Sequence, residues 1–192
     1  MVRGEMGFNL SKFNIDSISE EYKNDVLKDY EELIKIYPLF SFFRPPLSYN
    51  HYYCLKGYLI DKKEIDDLNI TNEHLPEYDK KVYVVIPPNY KDVGCYVYDR
   101  FSFDVNIIPE EDRHMYDDDS IKGYSCLCVG VPNSFKQMKN VILEAIKTSS
   151  NIVKAYMSYI NKLSDKIELL AYSHGDKGKK EYESNKEKYR PK

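Results

Sequence analysis

The stretch Lys81-Val82-Tyr83-Val84-Val85-Ile86, closed by Pro87-Pro88, constrains the fold most tightly. Residues rich in β-branched and aromatic side chains and ended by a proline pair read as a strand. Proline offers no amide to a sheet ladder, so the strand has to stop there. A strand needs partners, and the sequence supplies them on both sides. Residues 51–60, with Tyr53, Leu55 and the apolar end Tyr58-Leu59-Ile60, predict one. Residues 95–98 and 101–108 predict further strand material, and residues 124–129 an extended segment. The apolar, proline-punctuated run 38–46 predicts a covered loop or a short edge strand.

Helical periodicity brackets these strands. Ser17-Ile18-Ser19-Glu20 fits a capping box, in which serine and glutamate satisfy the free amides of a helix start. Ile18, Tyr22, Val26, Tyr30, Leu33, Ile34 and Tyr37 then predict a helix over 17–37, stopped by Pro38. Beyond the Pro132-Asn133 turn, Ser134 can cap a stripe of Phe135, Met138, Val141, Ile142, Ala145 and Ile146. A further stripe from Ile152 to Leu170 predicts another helix. Residues 61–80 read as a polar connection and 109–119 as an acidic loop. Helix, strands, then helices predicts an α+β fold: an N-terminal helix, an antiparallel four-stranded meander and C-terminal helices. The expected organisation is a flexible leader over 1–16, one domain over 17–172, and a polar lysine-rich tail over 173–192.

Composition narrows the function classes. A net charge of −3 gives no basic excess to draw the chain to nucleic acid or anionic lipid. No apolar run reaches the roughly 20 residues of a bilayer span. Residues 1–13 lack the apolar core and cleavage site of a signal peptide, so a cytoplasmic protein with reduced thiols is expected. Four cysteines are too few for a disulfide scaffold. No zinc spacing, calcium loop or glycine-rich phosphate loop is present, so neither cofactor nor metal is expected.

Chemistry concentrates at Cys126-Leu127-Cys128. On an extended backbone, side chains two apart share a face, so both thiols point the same way. Gly123 and the acidic loop before them suggest an exposed rim; the bland alternative is two small buried hydrophobes. Cys54 and Cys95 lie in apolar strands, where burial is expected.

In the turn Pro87-Pro88-Asn89-Tyr90, the His114-Met115-Tyr116 loop and Gly123-Tyr124-Ser125-Cys126-Leu127 ahead of the helices, the chain resembles the ubiquitin-conjugating enzymes. The resemblance in element order spans residues 17–170; the motifs are confined to 87–90 and 114–127. It implies a UBC-like fold and a thioester on Cys126 formed with the C-terminus of a protein partner. It implies that His114 braces its loop. The asparagine of the family's His-Pro-Asn motif is missing; Tyr116 stands in its place and, with Asn133, is a candidate oxyanion donor. The proline after the turn's tyrosine and the tryptophan after the cysteine are missing too. This divergence, with a Cys-x-Cys site, resembles the bacterial conjugating enzymes of anti-phage cyclic-oligonucleotide (CBASS) operons. There the partner is a cyclic-oligonucleotide synthase, in some cases with an activating enzyme. Cys128 could capture the acyl group, pair reversibly with Cys126, or simply pack. Two other classes fit the residues: a binding module without chemistry, and a thiol redox protein using both cysteines.

Overall fold

The structure, a computed structural model, describes residues 19–43, 52–71, 75, 81–116, 123–130, 134–167 and 169. Helix α1 (Glu20–Ile36) begins at Ser19, whose hydroxyl accepts the Tyr22 amide at 3.2 Å. The cap is therefore Ser19; Ser17 lies outside the described residues. Glu20 and Glu21 place negative charge where the first-turn amides point.

Six strands follow: β1 (Ser41–Phe42), β2 (Tyr53–Tyr58), β3 (Lys81–Ile86), β4 (Tyr96–Asp99), β5 (Met115–Tyr116) and β6 (Ser125–Leu127). They form one antiparallel sheet in the order β1-β2-β3-β4-β6-β5. The expected α+β architecture and antiparallel sheet hold, but the sheet has six strands where four were expected. The two additions are the two-residue edge strands β1 and β5, too short for a period-two pattern to reveal.

Alternation assigns the sheet two unequal faces. Leu55, Val82, Val84, Ile86, Val97 and Leu127 face one way and join Val26 and Leu33 of α1 in the main core. Helix α4 (Val141–Ile160) contributes Ile142, Ile146 and Val153 to the same core and packs against α1. The reverse face carries a smaller cluster of Phe43, Cys54, Val85, Tyr98 and Cys126, flanked by Tyr52, Tyr83 and Tyr124.

Elsewhere the chain departs from expectation for local reasons. Residues 61–80 contain helix α2 (Lys62–Leu68), opened by a reciprocal Asp61–Glu64 capping box. Residues 101–108 are not a strand; Val105–Ile107 is a 3₁₀ turn capped by Asp104. Only one C-terminal helix is present among the described residues. Helix α4 starts at Asn140, whose side chain accepts the Leu143 amide at 2.8 Å, and runs unbroken through Ser149 and Ser150. The Ser149 hydroxyl donates back to the Ala145 carbonyl, so it does not compete for the helix. The helix ends before Lys162, which has a left-handed φ of 57°; Leu163 is 79% exposed instead of extending a stripe. The expected leader and tail lie outside the described residues. Among the described residues no helix is long and apolar enough to cross a membrane.

Two tyrosines tie α1 to the sheet. Tyr22 donates to the Ile86 carbonyl and accepts the Tyr53 amide, joining α1 to the ends of β2 and β3. Tyr90, the last residue of the Pro-Pro-Asn-Tyr turn and the first of helix α3 (Tyr90–Val93), donates to Asp29 at 2.8 Å. Asn140 meanwhile donates to the Asp29 carbonyl. Burial raises the Asp29 carboxyl above its ordinary value, with the Tyr90 hydrogen bond pulling the other way.

Tyr90→Phe leaves that carboxylate without its donor and should cost about 1–3 kcal/mol in urea denaturation at neutral pH. Because the folded-state value of Asp29 is raised, its contribution favours folding below about pH 4 and is lost as pH rises through the raised value. Asp29→Asn keeps an acceptor for Tyr90 and should remove this component from the pH dependence of unfolding. An unchanged profile in Asp29→Asn would contradict it.

Candidate active site

The β5–β6 hairpin at the sheet's edge gathers most of the sequence-predicted residues. Met115 pairs with Leu127 and Tyr116 with Cys126. The ladder continues one step past the strand, where the Cys128 amide donates to the His114 carbonyl at 2.8 Å. His114 therefore lies opposite Cys128. The residue is 6% exposed.

On its other edge β6 pairs with β4, Tyr98 opposite Cys126 and Val97 opposite Leu127. This register, with period-two alternation, sends Leu127 into the helix-covered core and Cys126 to the reverse face. The two thiols do not share an environment. Cys126 is 0% exposed, enclosed with Phe43, Cys54, Val85 and Tyr98. The expected exposed rim is corrected at this residue: the central position of the sheet's second cluster covers it. Cys128, one step beyond the last strand residue, is half-buried.

Tyr116 crosses diagonally from its place opposite Cys126. Its hydroxyl donates to the Gly130 carbonyl at 3.0 Å, and the Cys128 Sγ lies 4.0 Å from that same oxygen. Tyr116 is 43% exposed, yet burial and the neighbouring cysteines hold its phenol far above the ordinary range, so it stays a donor at neutral pH. Burial also raises the Cys128 thiol, while hydrogen bonds from Tyr116 and at the Gly130 backbone pull it back. Cys54 and Cys95 are buried, and their thiols are pushed far upward by desolvation. Asn133 lies outside the described residues, as do 117–122 of the acidic loop.

Three supports of this hairpin escape sequence reasoning. The Tyr156 hydroxyl, from α4, accepts the His114 amide at 2.7 Å and donates to the Asp112 carbonyl at 3.1 Å. Burial pushes its phenol up to about 12. Arg113 clips the preceding loop through the Ile108 and Asn106 carbonyls. Phe135 lies against the backbone at Gly94 and Gly130, where an added Cβ would come within 2.5 Å and 2.7 Å of its ring. The sequence places Tyr156 and Phe135 in apolar stripes, which conceal a hydroxyl's second role. A glycine directly after the cysteine strand is the one readable signal, since glycine there marks close backbone approach.

The arrangement is a half-buried thiol, its proton held by burial, beside a protonated phenol at the sheet's edge; such a thiol acts as a nucleophile through its thiolate. No His, Cys, Asp and Glu cluster suited to a metal occurs among the described residues. No family model, curated protein or solved structure matches the chain.

Tyr156→Phe should remove the hydrogen bond by which α4 holds the His114 amide and loosen the hairpin. Hydrogen exchange of the His114 and Cys128 amides should accelerate, with a stability loss of about 1–2 kcal/mol. Gly130→Ala should displace Phe135 and destabilise by about 1–3 kcal/mol through overpacking. Unchanged exchange at both amides would show that the hairpin does not hang on Tyr156.

Proposed function

We propose that this chain is a cysteine-thioester acyl carrier of the ubiquitin-conjugating type, with a divergent UBC-like fold. In this reading a thiol of Cys126-Leu127-Cys128 takes the C-terminal acyl group of a protein partner and passes it on. The setting is cytoplasmic anti-phage defence, with a cyclic-oligonucleotide synthase as the modified partner. The observation that supports it most is the pairing of the His114 segment with the Cys-x-Cys strand. Two sequence features that the resemblance joins are brought to adjacent positions, with Tyr116 between them. The burial of Tyr90 against α1 supports it too, because it gives the Pro-Pro-Asn-Tyr turn a definite structural role.

No strong general base is required. Thiolates attack activated carbonyls directly, and what the protein supplies is position and a donor for the developing oxyanion. Tyr116 is the donor in reach. The second reading, a docking module without chemistry, is favoured by one observation: the complete burial of Cys126.

Incubating the full chain with a candidate synthase, ATP and an activating enzyme should add the synthase mass through a reductant-sensitive bond, read by intact-mass spectrometry. A Cys126→Ala/Cys128→Ala double variant should show no such adduct. Adduct surviving in the double variant, or partner binding with no adduct in the parent chain, would overturn the carrier reading; the latter result selects the docking module.

A further inference from the structure

We infer that Cys128, not Cys126, is the reacting thiol, and that Tyr116 is the residue that presents it. This rests on the carrier reading but concerns which sulfur does the work and how the hairpin exposes it.

The two cysteines differ by one turn of the pleat and by the end of a strand. Cys126 is flanked on both sides, by Tyr98 of β4 and Tyr116 of β5, and is closed over by Phe43, Cys54 and Val85. An acyl carbon must come within about 3–3.5 Å of the attacking sulfur. A fully covered Cys126 offers no such approach without displacing the cluster around it. Cys128 has left the β4 ladder, whose last pair is Val97 with Leu127. Its only ladder neighbour is His114, on the β5 side. Its thiol is half-buried, so it combines access with fixed position.

Fixation comes from three directions. The Cys128 amide is held by the His114 carbonyl, and the His114 amide by Tyr156. Two residues on, Gly130 is pinned under the Phe135 ring. The Tyr116 hydroxyl reaches past Cys128 to the Gly130 carbonyl, the same oxygen that the Cys128 thiol faces. When Cys128 ionises, that hydroxyl has a charged acceptor beside it, and charge-assisted hydrogen bonds are about twice as strong as neutral ones. Before ionisation Tyr116 holds the Gly130 carbonyl that the thiol faces; after it the same hydroxyl is free to turn to the thiolate.

The step balances as a simple acyl transfer. The Cys128 thiol loses its proton to solvent, and the sulfur attacks the carbonyl carbon of an activated C-terminus, a thioester or an acyl adenylate. The new C–S bond forms as the bond to the leaving thiolate or nucleotide phosphate breaks. No electron donor or acceptor is involved.

Native labelling with iodoacetamide, quenched and mapped by peptide mass spectrometry, tests the assignment on the unaltered full chain. Cys128 should be labelled at least about tenfold faster than Cys126, Cys54 and Cys95, in line with access and thiolate character. Its rate should still be rising with pH above the ordinary thiol range, because burial holds its proton. In Tyr116→Phe the midpoint of that profile should move further up, since a donor to the thiolate is lost; a purely packing tyrosine would leave it in place. Serine at each position separates the thiols in adduct formation: Cys128→Ser should lose the reductant-sensitive adduct and Cys126→Ser should keep it. Labelling led by Cys126, an adduct that survives Cys128→Ser, or a profile unmoved in Tyr116→Phe would overturn the inference. Fast labelling of Cys128 with no acyl adduct on any cysteine would instead remove the carrier reading and leave the reactive thiol where it is placed here.

Discussion

The register of β6 against β4 decides the character of this protein. Three residue pairs set it, and Leu127 opposite Val97 is the one that matters most, because both are fully buried under the helices. Side chains alternate along a strand, so a slip of one residue would turn every side chain to the opposite face. Cys126 would then enter the helix-covered core and Leu127 would turn outward. Burying a leucine side chain stabilises by about 1.5–3 kcal/mol, which is enough to hold one register against the other. The placement of Cys126 on the reverse face follows from where the leucine beside it has to go.

The edge hairpin could not hold itself. A two-residue β5 contributes few ladder bonds, and two-stranded ribbons are marginal in water. Here the ladder is extended at its open end by the Cys128–His114 bond and anchored from outside by Tyr156. That tyrosine lies in α4, so the longest helix connects the main core to the sheet edge. Phe135 does the same for the segment leaving β6, filling space that glycines at 94 and 130 keep open. The site is therefore irregular backbone mounted on regular elements, an arrangement that gives loops a defined position.

Much of the framework was legible in the sequence for physical reasons. β3 matches its expected bounds because β-branched residues and the prolines after it leave little choice. Helix α1 followed from periodicity and proline in the same way, whereas the run 38–46, open to a covered loop or a short edge strand, holds only the two-residue β1. Failures came where signals were short or had two meanings. α2 was hidden in a polar stretch, although Asp61 and Glu64 are a capping box as plain as any. The two apolar stripes on either side of Ser149 and Ser150 read as separate helices, but the Ser149 hydroxyl bonds back to a carbonyl one turn earlier and the helix runs through. At the site, the spacing Cys-x-Cys pointed to a shared face. It carried no information on depth, because depth depends on which strand ends first, and that is a property of β4 and β5.

This last point bears on why two adjacent cysteines need not share a role. A sheet interior suits a small apolar side chain, and free cysteine is one of the residues most at home there. Cys126 meets the requirements of the cluster formed by Phe43, Val85 and Tyr98 whether or not it ever reacts. Replacing it with a larger hydrophobe would overpack that cluster, and replacing it with alanine would leave a cavity. Cys128 has no such obligation. It is half-buried where the ladder runs out, with a phenol at hand. Reactivity needs partial exposure and a neighbour that favours the thiolate. Of the four thiols described, Cys128 alone combines a half-buried position with the Tyr116 hydroxyl beside it.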